Sequence, residues 1–236
     1  MASTACTSSG KTYATAQRLI AADIIDAAIV GGLDTLCTMT LQGFNSLQAL
    51  DRLPCRPFRK ERSGISIGEG GSFALVERSG DARVLIEGIG ETSDAYHISA
   101  PHPLGLGAQA AMRDALAAAG RKPEDIDHVN AHGTGTHLND SAEGNAIKEV
   151  LGTKVPCVST KAYTGHTLGA AAALEMAFSA CAIEEGFLPP SLGGGVIDPK
   201  IEINIPTDKT VGKFQRVLSN SFAFGGNNVS VLVGAP

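Results

Sequence analysis

Residues Ile126-Asp127-His128-Val129-Asn130-Ala131-His132-Gly133-Thr134-Gly135-Thr136 read as a strand running directly into a glycine-rich loop. Loops at the C-terminal ends of strands are where open α/β sheets hold their chemistry. Downstream, residues 141–151 read as helix and 155–159 as the next strand. That strand opens into a second loop, Ser159-Thr160-Lys161-Ala162-Tyr163-Thr164-Gly165-His166-Thr167-Leu168-Gly169. Residues 168–184 then predict an alanine-rich helix, apolar almost all round and therefore buried. Upstream, residues 105–119 predict a helix, stopped by Gly120 with Pro123 beyond it. Residues 72–77, 84–90, 217–220 and 229–233 read as strands, and 12–22 as helix. The short apolar run 27–32, ended by Gly31 and Gly32, fits a buried parallel strand. Residues 33–50 fit either element. Strands alternating with buried helices predict α/β layers.

Composition narrows the possibilities. Of 236 residues, 43% are hydrophobic and 18% charged, enough apolar material for a sizeable core. Nineteen Lys and Arg stand against 24 Asp and Glu, for a net charge of −5. A mildly acidic chain with no basic tract makes a poor nucleic-acid binder. No apolar run approaches the roughly 18 residues of a membrane span, so no membrane insertion is expected. The first residues lack a basic segment followed by an apolar one, so no signal peptide is read there. The five cysteines, Cys6, Cys37, Cys55, Cys157 and Cys181, are odd in number and widely spaced. That pattern suits a reduced, cytoplasmic protein better than a disulfide framework or a CxxC metal site.

Three residues stand out as chemistry-bearing. Cys6 precedes the helix of residues 12–22, where the positive end of the helix dipole would lower a thiol pKa. His132 and His166 sit in the two glycine-rich loops. The same N-terminal stretch, Ala5-Cys6-Thr7-Ser8-Ser9-Gly10-Lys11-Thr12, also fits a relaxed phosphate-binding loop. That reading requires a strand directly before it and an acidic partner strand, and neither is read in the sequence. A plain helix start capped by Thr7, Ser8 or Ser9 is the remaining alternative. His132 and His137, five apart, do not share a helix face, and no acidic cluster completes a metal site. No metal or cofactor is expected.

Taken together in order, the motifs resemble those of the β-ketoacyl-acyl-carrier-protein synthases of the KAS I/II type, condensing enzymes of the thiolase superfamily. The likeness runs through Thr4-Ala5-Cys6-Thr7-Ser8-Ser9, then Arg56-Pro57-Phe58 through Gly68-Glu69-Gly70. It continues through His132-Gly133-Thr134-Gly135-Thr136 with Asn139-Asp140, and Lys161 with Gly165-His166-Thr167-Leu168-Gly169-Ala170-Ala171. It closes on Ser219-Asn220-Ser221-Phe222 and Phe224-Gly225-Gly226.

The resemblance implies a thiolase-like fold, layered α-β-α-β-α, with the first half incomplete. Residues 1–83 would be the remainder of the N-terminal half and 84–236 the C-terminal half. It implies decarboxylative condensation of an acyl-enzyme with malonyl carrier protein, giving a 3-oxoacyl product in fatty acid, polyene or polyketide synthesis. Cys6 would carry the acyl chain, and His132 and His166 would donate hydrogen bonds to the developing enolate. Lys161, paired with Glu175, would organise the charges. The backbone N–H groups of Cys6 and Phe224 would form the oxyanion hole, with the Phe224 loop as a gate. The implied partners are an acyl carrier protein and a second copy or a related synthase subunit.

The chain departs from the family pattern at Arg59 (Asp in the family), His137 (Pro), Ala223 (Gly) and Asn227 (Thr). Ala223 implies a less mobile Phe224 loop. The family's long segment before the nucleophile is not read here, so the chain is expected to be a piece of a synthase. A truncated or accessory subunit pairing with a full-length synthase is the alternative expectation, and a nucleotide-binding loop the remote one.

Overall fold

The computed structural model describes residues 1–78 and 80–236. Helix α1 (Ser8–Ala21) leads into strand β1 (Ala27–Asp34), helix α2 (Thr38–Ser46) and strand β2 (Gly70–Glu77). Strand β3 (Leu85–Ser93), helix α3 (Leu106–Ala119), strand β4 (His128–Asn130) and helix α4 (His137–Leu151) follow. Then come β5 (Cys157–Val158), the short α5 (Lys161–Thr164), α6 (Ala171–Glu185), β6 (Phe187–Leu188), β7 (Thr210–Val211), β8 (Arg216–Phe222) and β9 (Asn227–Gly234).

The central sheet has the order β3-β9-β8-β4-β5. Strand β4 runs parallel to both β5 and β8, while β8, β9 and β3 alternate in direction. The sheet is therefore mixed. Its parallel strands aim the loops after β4 and β5 to the same side. Helices α3 and α4 cover one face, where Met112, Leu116, Val129, Ile147, Leu218 and Leu232 form a core with Phe58. Helices α1 and α6 cover the other, and β1 and β2 lie beyond them as an antiparallel ribbon. Tyr13, Val30, Met176, Val217, Val229 and Val231 fill that second core. Four layers stack in the order ribbon, helices, sheet, helices.

Small residues set the spacing of these layers. A Cβ at Gly10 would come 2.7 Å from Val229 Cγ1 and 3.3 Å from Ala172 Cβ, so glycine lets α1 lie against both α6 and β9. A Cβ at Gly90 would collide with the Ala111 carbonyl, so β3 requires glycine where α3 crosses it. The first turn of α6 is buried through Ala171, Ala172 and Ala173, but Ala177, Phe178 and Cys181 are exposed. The helix therefore buries one face and not its whole circumference, contrary to what its all-round apolarity predicts.

Three local expectations need correction. The run 27–32 is not a doubly covered parallel strand. It pairs antiparallel with β2, Ile29 facing Leu75, and its outward residues Ile29 and Leu33 are 79% and 66% exposed. The apolar run reflects one buried edge (Ala28, Val30) beside an apolar outer face, which continues through Phe73 and Leu75 on β2. Second, α1 begins at Ser8, and none of its serines or threonines caps it by side chain. The Thr7 hydroxyl instead donates to the Thr4 carbonyl at 2.8 Å, and the Thr4 N–H donates to Ser8 Oγ at 2.9 Å. These bonds tighten the turn that carries Cys6. Third, α4 begins at His137 because Thr136 Oγ1 caps it, accepting from the Asn139 N–H at 3.3 Å.

Candidate active site

Cys6 stands at the head of α1, just after Ala5, whose φ of 51° lies in the left-handed region. A non-glycine residue there is uncommon, and it turns the chain sharply so that the next side chain points across the helix start. His132 follows β4 and His166 follows the short α5 helix after β5. The three meet: Cys6 Sγ is 3.1 Å from His166 Nε2. The His132 and His166 rings lie edge to face with centroids 5.3 Å apart, and Phe222 packs edge-on against His132 at 5.9 Å. Each of the two histidines is 2% exposed.

The loops are held from behind. Both oxygens of the buried Glu143 carboxylate accept backbone N–H groups, from His132 at 2.8 Å and from Gly133 at 2.7 Å. Asp140 accepts from the Phe58 N–H at 2.8 Å and the Gly135 N–H at 3.2 Å. The His166 N–H donates to the Ser66 carbonyl at 2.7 Å. Lys161 and Glu175 pair beneath the histidines, and the Ser221 hydroxyl donates to the other Glu175 oxygen at 3.3 Å.

Burial dominates the electrostatics. Desolvation, then the Lys161 charge, push both imidazoles well below their ordinary pKa, so both are neutral at pH 7. The Cys6 thiol is likewise desolvated. Its pKa rises to about 11 although Lys161 pulls it down, with Glu175 and Asp34 opposing Lys161. This corrects the expectation of a thiol activated by the helix terminus: the buried resting sulfur is protonated. Desolvation also raises the Glu143 carboxyl to about 7, against the two N–H donors that favour its ionised form.

A cavity of about 340 Å³ opens onto Cys6, His132 and His166. Thr134, Thr136, Asn139 and Asn228 give it a polar side, and Leu47, Ile65, Phe222 and Phe224 an apolar one. Phe224 is 40% exposed and its ring lies 5.9 Å from that of Phe44 on α2. The backbone N–H groups of Cys6 and Phe224 donate to no other residue's acceptor among the described residues. The turn after β8 takes its left-handed residues at Gly225 and Gly226, with φ of 83° and 76°, so Ala223 occupies a position that needs no glycine.

Elsewhere the sequence expectations separate. Lys11 pairs with Glu91 at 3.7 Å and the Thr12 hydroxyl donates to the Ser9 carbonyl, so neither group serves a phosphate cradle. Arg59 is buried and donates to the Ser191 carbonyl at 2.6 Å and the Gly195 carbonyl at 3.0 Å, pinning that loop. His137 is exposed on the first turn of α4, at the cavity wall. Asp140 and Ser221 stand in the sequence motifs without a role of their own, and Glu143 and Phe44 stand outside them. Glu143 had a signal available: an acidic residue at a buried position of α4, one turn beyond Asp140.

Two family models match in succession. The beta-ketoacyl synthase N-terminal domain matches residues 1–82, and the beta-ketoacyl synthase C-terminal domain matches residues 84–194. The chain belongs to the beta-ketoacyl synthase family. A 3-oxoacyl-[acyl-carrier-protein] synthase 2 from Mycobacterium tuberculosis is 36% identical over 98% of this chain and 59% of its own length. Nodulation protein E of Rhizobium meliloti is 38% identical over 95% of this chain and 58% of its own. The chain thus spans less than two thirds of these curated relatives. Among solved structures, a chain of the complex of the ketosynthase ApeO with its chain length factor ApeC from Xenorhabdus doucetiae superposes with a TM-score of 0.96. It is 44% identical and covers 100% of this chain and 59% of its own. The fold is that of the thiolase-like ketosynthases, as the motifs of the sequence imply.

Proposed function

We propose that this chain carries the condensing centre of a β-ketoacyl-acyl-carrier-protein synthase, with Cys6 as the acylated nucleophile and His132 and His166 as the decarboxylation pair. The observation that carries the reading is the 3.1 Å contact between Cys6 Sγ and His166 Nε2, with His132 completing the same buried wall. A neutral imidazole beside a protonated thiol can relay its proton during acyl transfer. Cys6 gives up that proton, its sulfur takes the acyl group, and the departing carrier thiolate receives the proton.

In the second half-reaction, loss of CO₂ from the malonyl group leaves an enolate. Two N–H donors aimed at its oxygen stabilise that charge, and neutral imidazoles supply them without a net charge to neutralise. Neither His132 Nδ1 nor His166 Nδ1 has a partner among the described residues, so nothing fixes the tautomers. His166 Nε2 is unprotonated when it takes the Cys6 proton, and once Cys6 is acylated either ring can carry its proton on Nε2. The enolate carbon attacks the Cys6 thioester, and the N–H groups of Cys6 and Phe224 receive the carbonyl oxygen as it gains charge. Lys161 and Glu175 organise the field beneath. Phe224 and Phe44 gate the acyl end of the cavity.

The same proposal divides the chain at 83/84 into an N-terminal and a C-terminal thiolase-like half, places it in the cytoplasm, and gives it an acyl carrier protein and a second synthase subunit as partners. The uncovered apolar face of β1 and β2, and the ketosynthase–chain length factor pairing of its structural neighbour, support a chain that works beside another subunit. The test is product formation. Acyl and malonyl carrier thioesters are supplied to the chain alone and to the chain with a full-length synthase partner, and the 3-oxoacyl product is measured by mass spectrometry. No product under either condition, with the chain folded, would refute the condensing assignment.

A further inference from the structure

The Cys6–His132–His166 cluster satisfies a second chemistry. One ligating atom from each residue, the Cys6 sulfur and a ring nitrogen of each histidine, lies within 4.8 Å of the other two. In a tetrahedral zinc site, with Zn–S about 2.3 Å and Zn–N about 2.0–2.1 Å, ligand atoms stand about 3.3–3.6 Å apart. The cluster reaches that spacing with side-chain adjustments of an ångström or so. His132 and His166 are each 2% exposed and, among the described residues, neither Nδ1 has a partner. Apart from the contact of His166 Nε2 with Cys6 Sγ, no protein group among them fixes which ring nitrogen is left free for a metal. One thiolate and two imidazoles make a borderline-soft donor set that suits zinc and excludes magnesium or calcium. The cavity opens on the fourth side.

The surrounding charges are mixed. Lys161 opposes a cation, but its ammonium is matched by Glu175. The Asp34 carboxylate adds negative charge near Cys6.

We propose that Cys6, His132 and His166 form a three-ligand site for a thiophilic divalent cation of the zinc type, with its fourth position open to the cavity. Binding displaces one proton from the Cys6 thiol and forms a metal–sulfur bond, with no change of oxidation state. Occupancy then withholds the sulfur from any acyl donor, a consequence that rests on Cys6 being the acylated residue. The metal site itself does not depend on that reading.

Cobalt(II) and zinc(II) alone, added to the full chain, test the site without reference to activity. One equivalent of cobalt should give a near-ultraviolet thiolate charge-transfer band and the intense visible bands of four-coordination. Zinc X-ray absorption should show one sulfur at about 2.3 Å and nitrogen at about 2.0–2.1 Å. Cys6→Ser, His132→Ala and His166→Ala should each weaken binding by more than the about 10–100-fold typical of changes behind the ligands. The exposed thiols are the control, so Cys37→Ser/Cys181→Ser should bind as the parent does. Should a site variant fail to fold, zinc protection of Cys6 in the parent chain from iodoacetamide, read by peptide mass spectrometry, replaces it. Loss of the band in the Cys37/Cys181 variant, no sulfur in the zinc shell, or no protection of Cys6 would each overturn the proposal.

Discussion

Lys161 and Glu175 form an ion pair in which each side chain is 2% exposed, and the pair ties α5 to α6 under the two histidines. Ser221 from β8 and the Lys161 ammonium share the two Glu175 oxygens, so three elements depend on one carboxylate. Removing one partner of a buried pair strands the other charge, at about 3–5 kcal/mol, whereas replacing both by apolar groups is often neutral. Lys161→Met should therefore destabilise the chain by about that amount, and Lys161→Met/Glu175→Leu should regain most of it. Denaturant unfolding of the two variants beside the parent checks this. A single variant as stable as the parent would remove the pair from the account.

Cys6 is the expected site of acylation. After incubation with an acyl-carrier thioester, peptide mass spectrometry should find the adduct on the peptide bearing Cys6. It should disappear in Cys6→Ala. Adducts confined to the exposed Cys37 or Cys181 would contradict the assignment.

The histidines should separate the two half-reactions. His132→Ala should keep acylation of Cys6 and lose release of CO₂ from malonyl carrier protein by about 10²–10³-fold, the usual cost of one preorganised donor. His166→Ala should lose a similar amount and slow acylation as well, because its Nε2 alone lies 3.1 Å from the sulfur. Equal CO₂ release in parent and variants would show that neither ring serves the enolate.

The raised Cys6 pKa has a definite pH signature. Burial lifts the folded thiol from about 9 to about 11, so between these values the unfolded chain ionises and the native chain does not. Stability contributed by keeping the thiol neutral is complete below pH 9 and is lost as pH rises to about 11. The parent Tm should fall more steeply over this window than that of Cys6→Ala. Alkylation of native Cys6 should be slow at pH 7 and climb about tenfold per pH unit towards 10. A fast, pH-independent reaction at neutral pH would mean that the thiolate is already formed.

The outer face of β1 and β2 should make the chain associate. Ile29, Leu33, Phe73 and Leu75 are 62–79% exposed and adjacent across the ribbon. Contiguous apolar surface on strands with unpaired edges invites association. Sedimentation velocity should show concentration-dependent self-association of the chain alone, relieved in Ile29→Lys/Phe73→Lys. A monodisperse monomer at all concentrations would show that the face is tolerated in water.

Legibility in the sequence followed the range of the forces involved. Long helices such as α3 and α6 announce themselves by composition, and glycine-flanked His132 and His166 by position after a strand. Their convergence on Cys6 was legible only through the ordered motifs of a family, because no local pattern encodes a contact spanning 160 residues. A helix terminus is visible in sequence and desolvation is not, so the sequence points to an activated Cys6 thiol where burial raises its pKa. The run 27–32 was misjudged because apolarity on the outer face of a ribbon looks the same as apolarity inside a sheet. Glu143 was missed because its partners are backbone N–H groups, which carry no residue identity.

The 160-residue separation between Cys6 and His166 also bears on how the chain reaches its native state. Contacts so distant in sequence close late, after local helices and hairpins, because the loop entropy must be overcome first. Until α1 docks against α6 and β9, the Cys6 sulfur is in water with an ordinary thiol pKa. Its rate of alkylation during refolding is thus a clock for the final docking step: quick while the halves are apart, and suppressed once the last layer closes.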